Sequence, residues 1–134
     1  MTDTTGHCHC GAVSFAFTGP QTWACHCHCN DCRRNCAAPL VTFLGTPRNG
    51  FAWTGATPKT YHSSPGVTRH FCDACGTQMA FEAEHYAGEI HLYAATLSDA
   101  EDFKPEFHVH YDSKLPWLHI MDDLQKHGGS APDM

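Results

Sequence analysis

Five cysteines and two histidines lie in the twelve-residue stretch CHCHCNDCRRNC, from Cys25 to Cys36. Thiols at this density can form disulfides, bind a metal ion or provide a reactive nucleophile. The N-terminal stretch MTDTTGHCHC has no basic region followed by an apolar one, so it lacks the pattern of a signal peptide. We therefore predict a cytoplasmic protein with reduced thiols, in which nine cysteines indicate metal ligands or catalytic groups before disulfides.

A second cysteine motif, FCDACGT, places Cys72 and Cys75 in a Cys-x-x-Cys-Gly turn. Such a turn directs both sulfurs to one ion, and its glycine lets backbone N–H groups approach the thiolates. The stretch GHCHCGA offers Cys8 and Cys10 as partners, again followed by a glycine. These four thiolates predict a closed structural zinc site that ties the N-terminal strand to a distant hairpin. A thioredoxin-like redox role for Cys72 and Cys75 would require a strand–helix context that the sequence lacks.

Within the cysteine-rich stretch, Cys27, Cys29 and Cys32 are close enough to occupy one face of a single ion from one tight loop. Three protein ligands leave a fourth position for water or a substrate atom, which is typical of a catalytic zinc. The alternative is a second structural site that Cys25 or Cys36 closes. The spacing alone leaves both interpretations open.

Four motifs, taken in order, resemble the glutathione-dependent formaldehyde-activating enzyme family, which shares its domain with centromere protein V. They are GHCHCGAVSF, CHCNDCRR, RHFCDACGT and HYDSKLPWLHIMDDL. The resemblance runs from about Gly6 to Leu124, within a single predicted domain of residues 1–134. It implies an all-β fold that contains a zinc ribbon and is related to methionine sulfoxide reductase B.

The resemblance also implies two zinc ions per chain, one structural and one catalytic. The structural ligands implied are Cys8, Cys10, Cys72 and Cys75, and the active-site ligands implied are Cys27, Cys29 and Cys32. The chain departs from the family at Cys36, where members usually have a small residue such as serine or threonine, and at Cys25, which is an addition. Either cysteine could complete the second site or oxidise with a neighbour.

The activity implied by the resemblance is that of a carbon–sulfur lyase acting on glutathione adducts such as S-hydroxymethylglutathione, with glutathione as co-substrate. A proton must move to or from the hydroxymethyl oxygen, and His28, inside the Cys-His-Cys motif, is our candidate for that step. Its alternative role is to orient the ligand segment. Arg33 could bind a glutathione carboxylate through its planar guanidinium, or form a surface salt bridge. Two other functions stay open: a non-catalytic zinc-binding interaction module, and the same glutathione chemistry on a different electrophile.

The rest of the chain predicts a mainly β domain that positions these residues. Fourteen acids against eight bases, without a basic run, argue against nucleic acid, and no apolar run approaches a membrane span. The expected partner is therefore the small-molecule substrate that the resemblance implies, a glutathione adduct, rather than nucleic acid or a membrane. Alternation and turn residues predict strands at 13–17, 39–45, 50–55, 77–81, 89–97 and 106–111, and a hairpin at 59–72 that turns at Ser64-Pro65-Gly66.

Two helical segments and one further pair of histidines complete the predictions. We expect a short helical turn after Asp31, and a helix from about Leu118 to Lys126 that Gly128 and Gly129 terminate. His108 and His110 would face the same side of a strand, where they could form another pair of metal ligands or simply be exposed.

Overall fold

The computed structural model describes residues 3–132, and most of its regular structure is strand. The strands are β1 (Thr4–His7), β2 (Ser14–Phe17), β3 (Trp23–Cys27), β4 (Val41–Pro47), β5 (Phe51–Trp53), β6 (Lys59–Ser64), β7 (Val67–Phe71), β8 (Gln78–Ala83), β9 (Glu89–Tyr93), β10 (Phe107–Val109) and β11 (Gln125–Lys126). The α-helix described in this range, α1, spans Asn30–Cys36. Short 3-10 helices span Arg48–Gly50, Glu84–Tyr86, Ala94–Thr96, Ala100–Asp102 and Tyr111–Ser113. Within residues 3–132, no helix has the length and apolar character needed to span a membrane.

The strands form two sheets. The smaller sheet has the order β1-β2-β5 and is antiparallel. The larger sheet has the order β11-β10-β3-β4-β9-β8-β7-β6. In it β10 runs parallel to β3 and to β11, whereas its other neighbouring pairs are antiparallel. The first cysteines of the cysteine-rich stretch therefore lie on β3, inside the larger sheet.

Both faces of the larger sheet are covered by buried side chains. On one face, Leu44 and Leu92 belong to an apolar cluster that includes Phe15 of the smaller sheet. On the other face, Phe43 belongs to a second cluster that includes Cys27. Phe43 and Leu44 are consecutive in β4 and enter different clusters, as the two-residue period of a strand requires. The cysteine-rich stretch is thus built into the second core.

The structure confirms the mainly β prediction and most of its elements. The hairpin predicted at 59–72 consists of β6 and β7, and Gly66 in its turn has a φ of 75°. Glycine adopts this left-handed conformation without the steric cost that a Cβ atom imposes. The helical turn predicted after Asp31 is α1. Strands β1 and β3 were not predicted.

The helix predicted from Leu118 to Lys126 is wrong. Residues 114–124 contain neither helix nor strand, and Gln125–Lys126 form β11 alongside β10. The Lys114 ammonium donates hydrogen bonds to two carbonyl oxygens of this segment, which satisfies acceptors that a helix would satisfy internally. Pairing with the sheet therefore overrides the local helical pattern.

The prediction that His108 and His110 share one face of a strand is also wrong. β10 ends at Val109, and His110 has a φ of 51°, in the left-handed region. His110 therefore does not continue the alternation of the strand. His108 is fully buried, whereas His110 is partly exposed.

Candidate functional site

The first cysteine group joins the two sheets. One sulfur from each of Cys8, Cys10, Cys72 and Cys75 lies within 4.8 Å of the others. The Sγ atoms of Cys8 and Cys10 are 3.6 Å apart, and those of Cys10 and Cys72 are 3.8 Å apart. Two sulfurs bound to a tetrahedral zinc at about 2.3 Å each are separated by about 3.8 Å, so the donor set fits that ion.

Backbone groups support this first group as the sequence predicts. The N–H of Val13 donates to Cys8 Sγ at 3.3 Å. Gly11 and Gly76, which follow the two cysteine pairs, have φ values of 83° and 82°. Such left-handed turns favour glycine, which explains its presence after both pairs. Four protein sulfurs around one position leave no room for a substrate.

The second group consists of Cys27, Cys29 and Cys32, whose sulfurs also lie within 4.8 Å of one another. Cys27 ends β3, Cys29 is the N-cap of α1, and Cys32 lies in the first turn of that helix. The Cys29 sulfur accepts a hydrogen bond from the Cys32 N–H at 3.3 Å. The three sulfurs thus come from the end of a strand and the start of a helix, rather than from a loop alone.

Neither Cys25 nor Cys36 joins this second group in the structure. Cys25 lies on the same strand face as Cys27 but two residues earlier, which is about 6.6 Å along a strand. Cys36 lies on the same helix face as Cys32 but one turn later, which is about 5.4 Å along the axis. All nine cysteines are free thiols. The second group therefore offers three sulfurs, and no protein thiol occupies a fourth position.

Ionisation of the second group is strongly coupled. Hydrogen bonds from Cys27 and Cys32 lower the pKa of Cys29 to about 2. The hydrogen bond to Cys29 is the main reason that the pKa of Cys27 is raised. The hydrogen bond with Cys27 lowers the pKa of Cys32. The hydrogen bond with Cys29 and burial outweigh it and raise that pKa to about 12. Hydrogen bonding within the group thus favours a thiolate on Cys29, and a bound cation would stabilise the thiolate form of all three.

A cavity of about 260 Å³ opens beside the second group. Its wall contains all three cysteines together with Asp31 and the aromatic residues Trp23, Phe43, Phe81 and Tyr86. A larger groove of about 690 Å³ lies next to Cys8 and Cys36, and none of the three cysteines of the second group lines it. The smaller cavity is therefore the place where a substrate atom could reach the second group.

Arg69 of β7 is a buried cation in the wall of this cavity, with only 3% of its surface exposed. Its Nε donates to Ser63 Oγ at 3.0 Å, and its Nη1 donates to the Tyr93 hydroxyl at 3.3 Å. It forms no ion pair with a carboxylate within residues 3–132. A buried charge requires compensation. Burial alone would lower the pKa of Arg69, but interactions with Tyr93 and Cys32 raise it. The sequence analysis did not identify this residue.

His110 is a second cavity residue that the sequence analysis assigned elsewhere. Its left-handed backbone turns it from the direction of β10 into the cavity wall. Its charge is among the interactions that lower the pKa of Cys29, after the hydrogen bonds already described. Arg69 and His110 thus provide two basic side chains next to three sulfurs.

His28 and Arg33, the two predicted catalytic and binding residues, do not line this cavity. The His28 ring is fully buried, and its Nε2 is 2.9 Å from Nδ1 of His108. The Arg33 Nε donates to the His28 carbonyl oxygen at 3.1 Å. Arg33 lines a separate surface depression with Trp117. Burial removes water from the His28 imidazole and is the main reason that its pKa is lowered to about 4. Nearby basic side chains make smaller contributions.

Together, the fold and these sites define a mainly β protein with two cysteine groups, one of four sulfurs and one of three. A family model for the glutathione-dependent formaldehyde-activating enzyme matches residues 3–113. The chain belongs to this family, and the resemblance seen in its motifs is confirmed.

Two relatives and one solved structure are similar to this chain. A protein of Halomonas elongata, named provisionally as a glutathione-dependent formaldehyde-activating enzyme, is 26% identical over 125 residues, which cover 86% of this chain and 79% of the relative. An uncharacterized lyase of Schizosaccharomyces pombe is 31% identical over 114 residues, which cover 85% of this chain and 82% of the relative. A crystal structure of a Rhodobacter sphaeroides protein shares the fold, with a TM-score of 0.61 at 21% identity, over 71% of this chain and 88% of that one.

Proposed function

We propose that this chain is a zinc-dependent carbon–sulfur lyase that acts on glutathione adducts such as S-hydroxymethylglutathione. The observation that carries the proposal is the second cysteine group, which places three sulfurs in the wall of a cavity and leaves a fourth position to a substrate atom. Family membership supports glutathione as the co-substrate. A purely structural site would instead be closed by a fourth protein ligand.

The donor chemistry supports zinc at both groups. Sulfur ligands select zinc among the common divalent ions, and the first group has the sulfur spacing of a tetrahedral site. We expect two zinc ions per chain, a structural one on the four-sulfur group and a catalytic one on Cys27, Cys29 and Cys32. When bound there, the catalytic ion would lower the pKa of a thiol that contacts it and so supply a thiolate at neutral pH.

The reaction makes or breaks one carbon–sulfur bond. In the forward direction the glutathione thiol gives up its proton, its sulfur bonds to the formaldehyde carbon, the π pair of the carbonyl moves to oxygen, and that oxygen takes a proton. Arg69 supports this step because its buried guanidinium can stabilise the negative charge that develops on oxygen. His110 supports it as the partly exposed imidazole in the cavity wall that can donate the proton and accept it in the reverse direction. The other imidazole in the wall, His91, is buried, and its Nε2 is 2.7 Å from Glu89 Oε1.

The cavity wall favours His110 over His28 as the proton carrier. His28 lies outside the wall and is held by His108, so its position supports the alternative role of orienting the segment between Cys27 and Cys29. Arg33 also lies outside the cavity. Its predicted contact with a glutathione carboxylate requires that the tripeptide extend from the cavity across α1.

Exchange kinetics at equilibrium test the proposal. The uncatalysed addition is itself fast, so we expect the zinc-loaded protein to increase the rate at which formaldehyde and S-hydroxymethylglutathione interconvert without changing their ratio. Magnetisation-exchange NMR with millimolar glutathione measures this rate. An unchanged rate together with absent glutathione binding would favour the interaction-module alternative, whereas binding without exchange would indicate a different electrophile.

Replacing Arg69 by methionine should reduce the exchange rate about 100-fold, because one donor to a developing oxyanion contributes a factor of about 10²–10³. Arg69→Lys keeps the charge without the planar guanidinium, so its exchange rate should lie between those of the unchanged protein and Arg69→Met. The control is Arg48→Met, since Arg48 is 42% exposed and its salt bridge with Glu82 contributes little. Zinc analysis of each variant distinguishes loss of metal from loss of rate, and a fully active Arg69→Met protein with normal zinc would remove Arg69 from the proposal.

A further inference from the structure

A third group of potential ligands lies on the other side of the cysteine-rich segment. His26 of β3, His108 of β10 and Asp122 of the segment 114–124 each place one ligand atom within 4.8 Å of the others. His26 and His108 are direct partners in the parallel register of β3 and β10, and their ring centroids are 4.9 Å apart. None of the three residues lines the cavity beside the second cysteine group. This group is therefore separate from the proposed active site.

The outer atoms of all three side chains are already held by hydrogen bonds. His26 Nδ1 is 2.8 Å from Thr42 Oγ1, and His108 Nδ1 is 2.9 Å from His28 Nε2. Asp122 Oδ1 accepts a hydrogen bond from the Leu124 N–H at 3.1 Å. Metal-binding histidines almost always use their second nitrogen in this way, because the outer contact fixes the ring and its tautomer. Such support is expected of metal ligands. The atoms that remain to face an ion are Nε2 of His26, Nε2 of His108 and Oδ2 of Asp122.

We propose that His26, His108 and Asp122 bind a divalent transition-metal ion such as zinc or cobalt. Two imidazole nitrogens and one carboxylate oxygen are ligands that these ions accept, with the remaining positions filled by water. His108 Nε2 and Asp122 Oδ2 are 2.8 Å apart as a hydrogen-bonded pair, and the ion would take the place of that hydrogen. In the metal-bound form His108 carries its hydrogen on Nδ1 and donates it to His28 Nε2.

Lys126 limits the affinity of this site. Its ammonium is 3.2 Å from Asp122 Oδ1, so the carboxylate already has one positive neighbour before a divalent ion arrives. The Lys126 side chain is 31% exposed and can move toward solvent, which allows the ion to bind at a cost. We therefore expect an exchangeable ion rather than one required for folding.

An ion at this site would link the irregular segment 114–124 to the larger sheet. His26 and His108 lie in the larger sheet, whereas Asp122 lies in the segment 114–124, which contains neither helix nor strand. An ion on all three would add a cross-link between that segment and the sheet. Binding should therefore slow hydrogen exchange in residues 114–124 more than elsewhere in the chain.

Titration of cobalt(II) into protein that carries two zinc ions per chain, freed of any further zinc, tests the site. We expect one further equivalent to bind, with visible d–d absorption but without the ultraviolet charge-transfer band of a cobalt–thiolate site. His26→Gln and Asp122→Asn should each weaken this binding at least about tenfold. Lys126→Gln should tighten it, because it removes the competing charge. The matched control is His119→Gln, which changes an exposed histidine outside the group and should leave the affinity unchanged.

The variants are chosen so that folding does not obscure the result. His108 is fully buried and is left unchanged, whereas His26 is only partly buried and asparagine can keep the hydrogen bonds of Asp122. Absence of a further equivalent would overturn the proposal. So would an added equivalent whose affinity is the same in His26→Gln and Asp122→Asn, because the ion would then bind elsewhere.

Discussion

Cys72→Ser should yield insoluble or unfolded protein. Cys72 is buried in the core between the two sheets and belongs to the four-sulfur group. Its partner Cys10 is 62 residues away in the chain, so a zinc ion on this group closes a long loop and joins the N-terminal strands to the hairpin of β7 and β8. The free energy of zinc binding at such a site is folding free energy and is on the order of 10 kcal/mol. That value is comparable to the entire stability of a typical domain.

Soluble yield and thermal unfolding, measured with and without added zinc, test this expectation. The matched control is Cys36→Ser, which removes a partly buried thiol that belongs to neither group and should remain folded. A Cys72→Ser protein that melts at the temperature of the unchanged chain would contradict a structural zinc at this position.

The two cysteine groups could be predicted from the sequence because thiol spacing is a local property. The spacing of Cys72 and Cys75 alone predicts a metal-binding turn. Because a closed site needs four donors, it also predicts Cys8 and Cys10 as partners although they are distant in sequence. The flanking glycines follow from the backbone that such turns require. The fold class was predictable for a similar reason, because alternation and turn residues are local signals.

Strand β3 was missed because its residues are unusual strand formers. The stretch reads as a ligand motif, but Cys25 and Cys27 also alternate with His26, which is the two-residue period of a strand. Recognising that period would have placed the cysteine side chains on one face of the strand and the histidine side chain on the other. Consideration of both faces would have directed the search for a proton carrier away from His28.

The burial of Arg69 could not be predicted from its surroundings in sequence. An arginine in a hairpin is normally exposed, since charged residues rarely occupy a core. Here its guanidinium lies 5.0 Å from the ring of Phe81 and hydrogen-bonds to Tyr93, which come from β8 and β9. Only the order of strands in the larger sheet brings these groups together. The same holds for His110, whose position depends on where β10 ends.

Cys29→Ser should separate the second cysteine group from the first. The variant removes one of three ligands, so we expect zinc to fall from two ions per chain to one and the acceleration of glutathione exchange to be lost. Its thermal stability should be nearly unchanged, because Cys27 to Cys32 already lie within one short segment and little chain entropy depends on their ion.

Serine is the informative replacement here because Cys29 has a second role as the N-cap of α1. Its sulfur accepts a hydrogen bond from the Cys32 N–H, and a serine hydroxyl oxygen can accept the same bond. Cys29→Ala removes both the ligand and the cap, so it should be less stable than Cys29→Ser by about 1 kcal/mol while having the same zinc content. The pair therefore measures the cap with the metal ligand removed from both proteins.

Paired melting curves, zinc analysis and exchange rates of Cys29→Ser, Cys29→Ala and Cys72→Ser decide between the two interpretations of the second group. Loss of one zinc and of exchange, with folding preserved in Cys29→Ser, supports an active site that uses three cysteines and one open position. If Cys29→Ser unfolds as severely as Cys72→Ser, the ion on this group holds β3 to α1 as a structural cross-link. The catalytic role would then have to be abandoned, because the ion would be required for folding, as expected of a closed structural site.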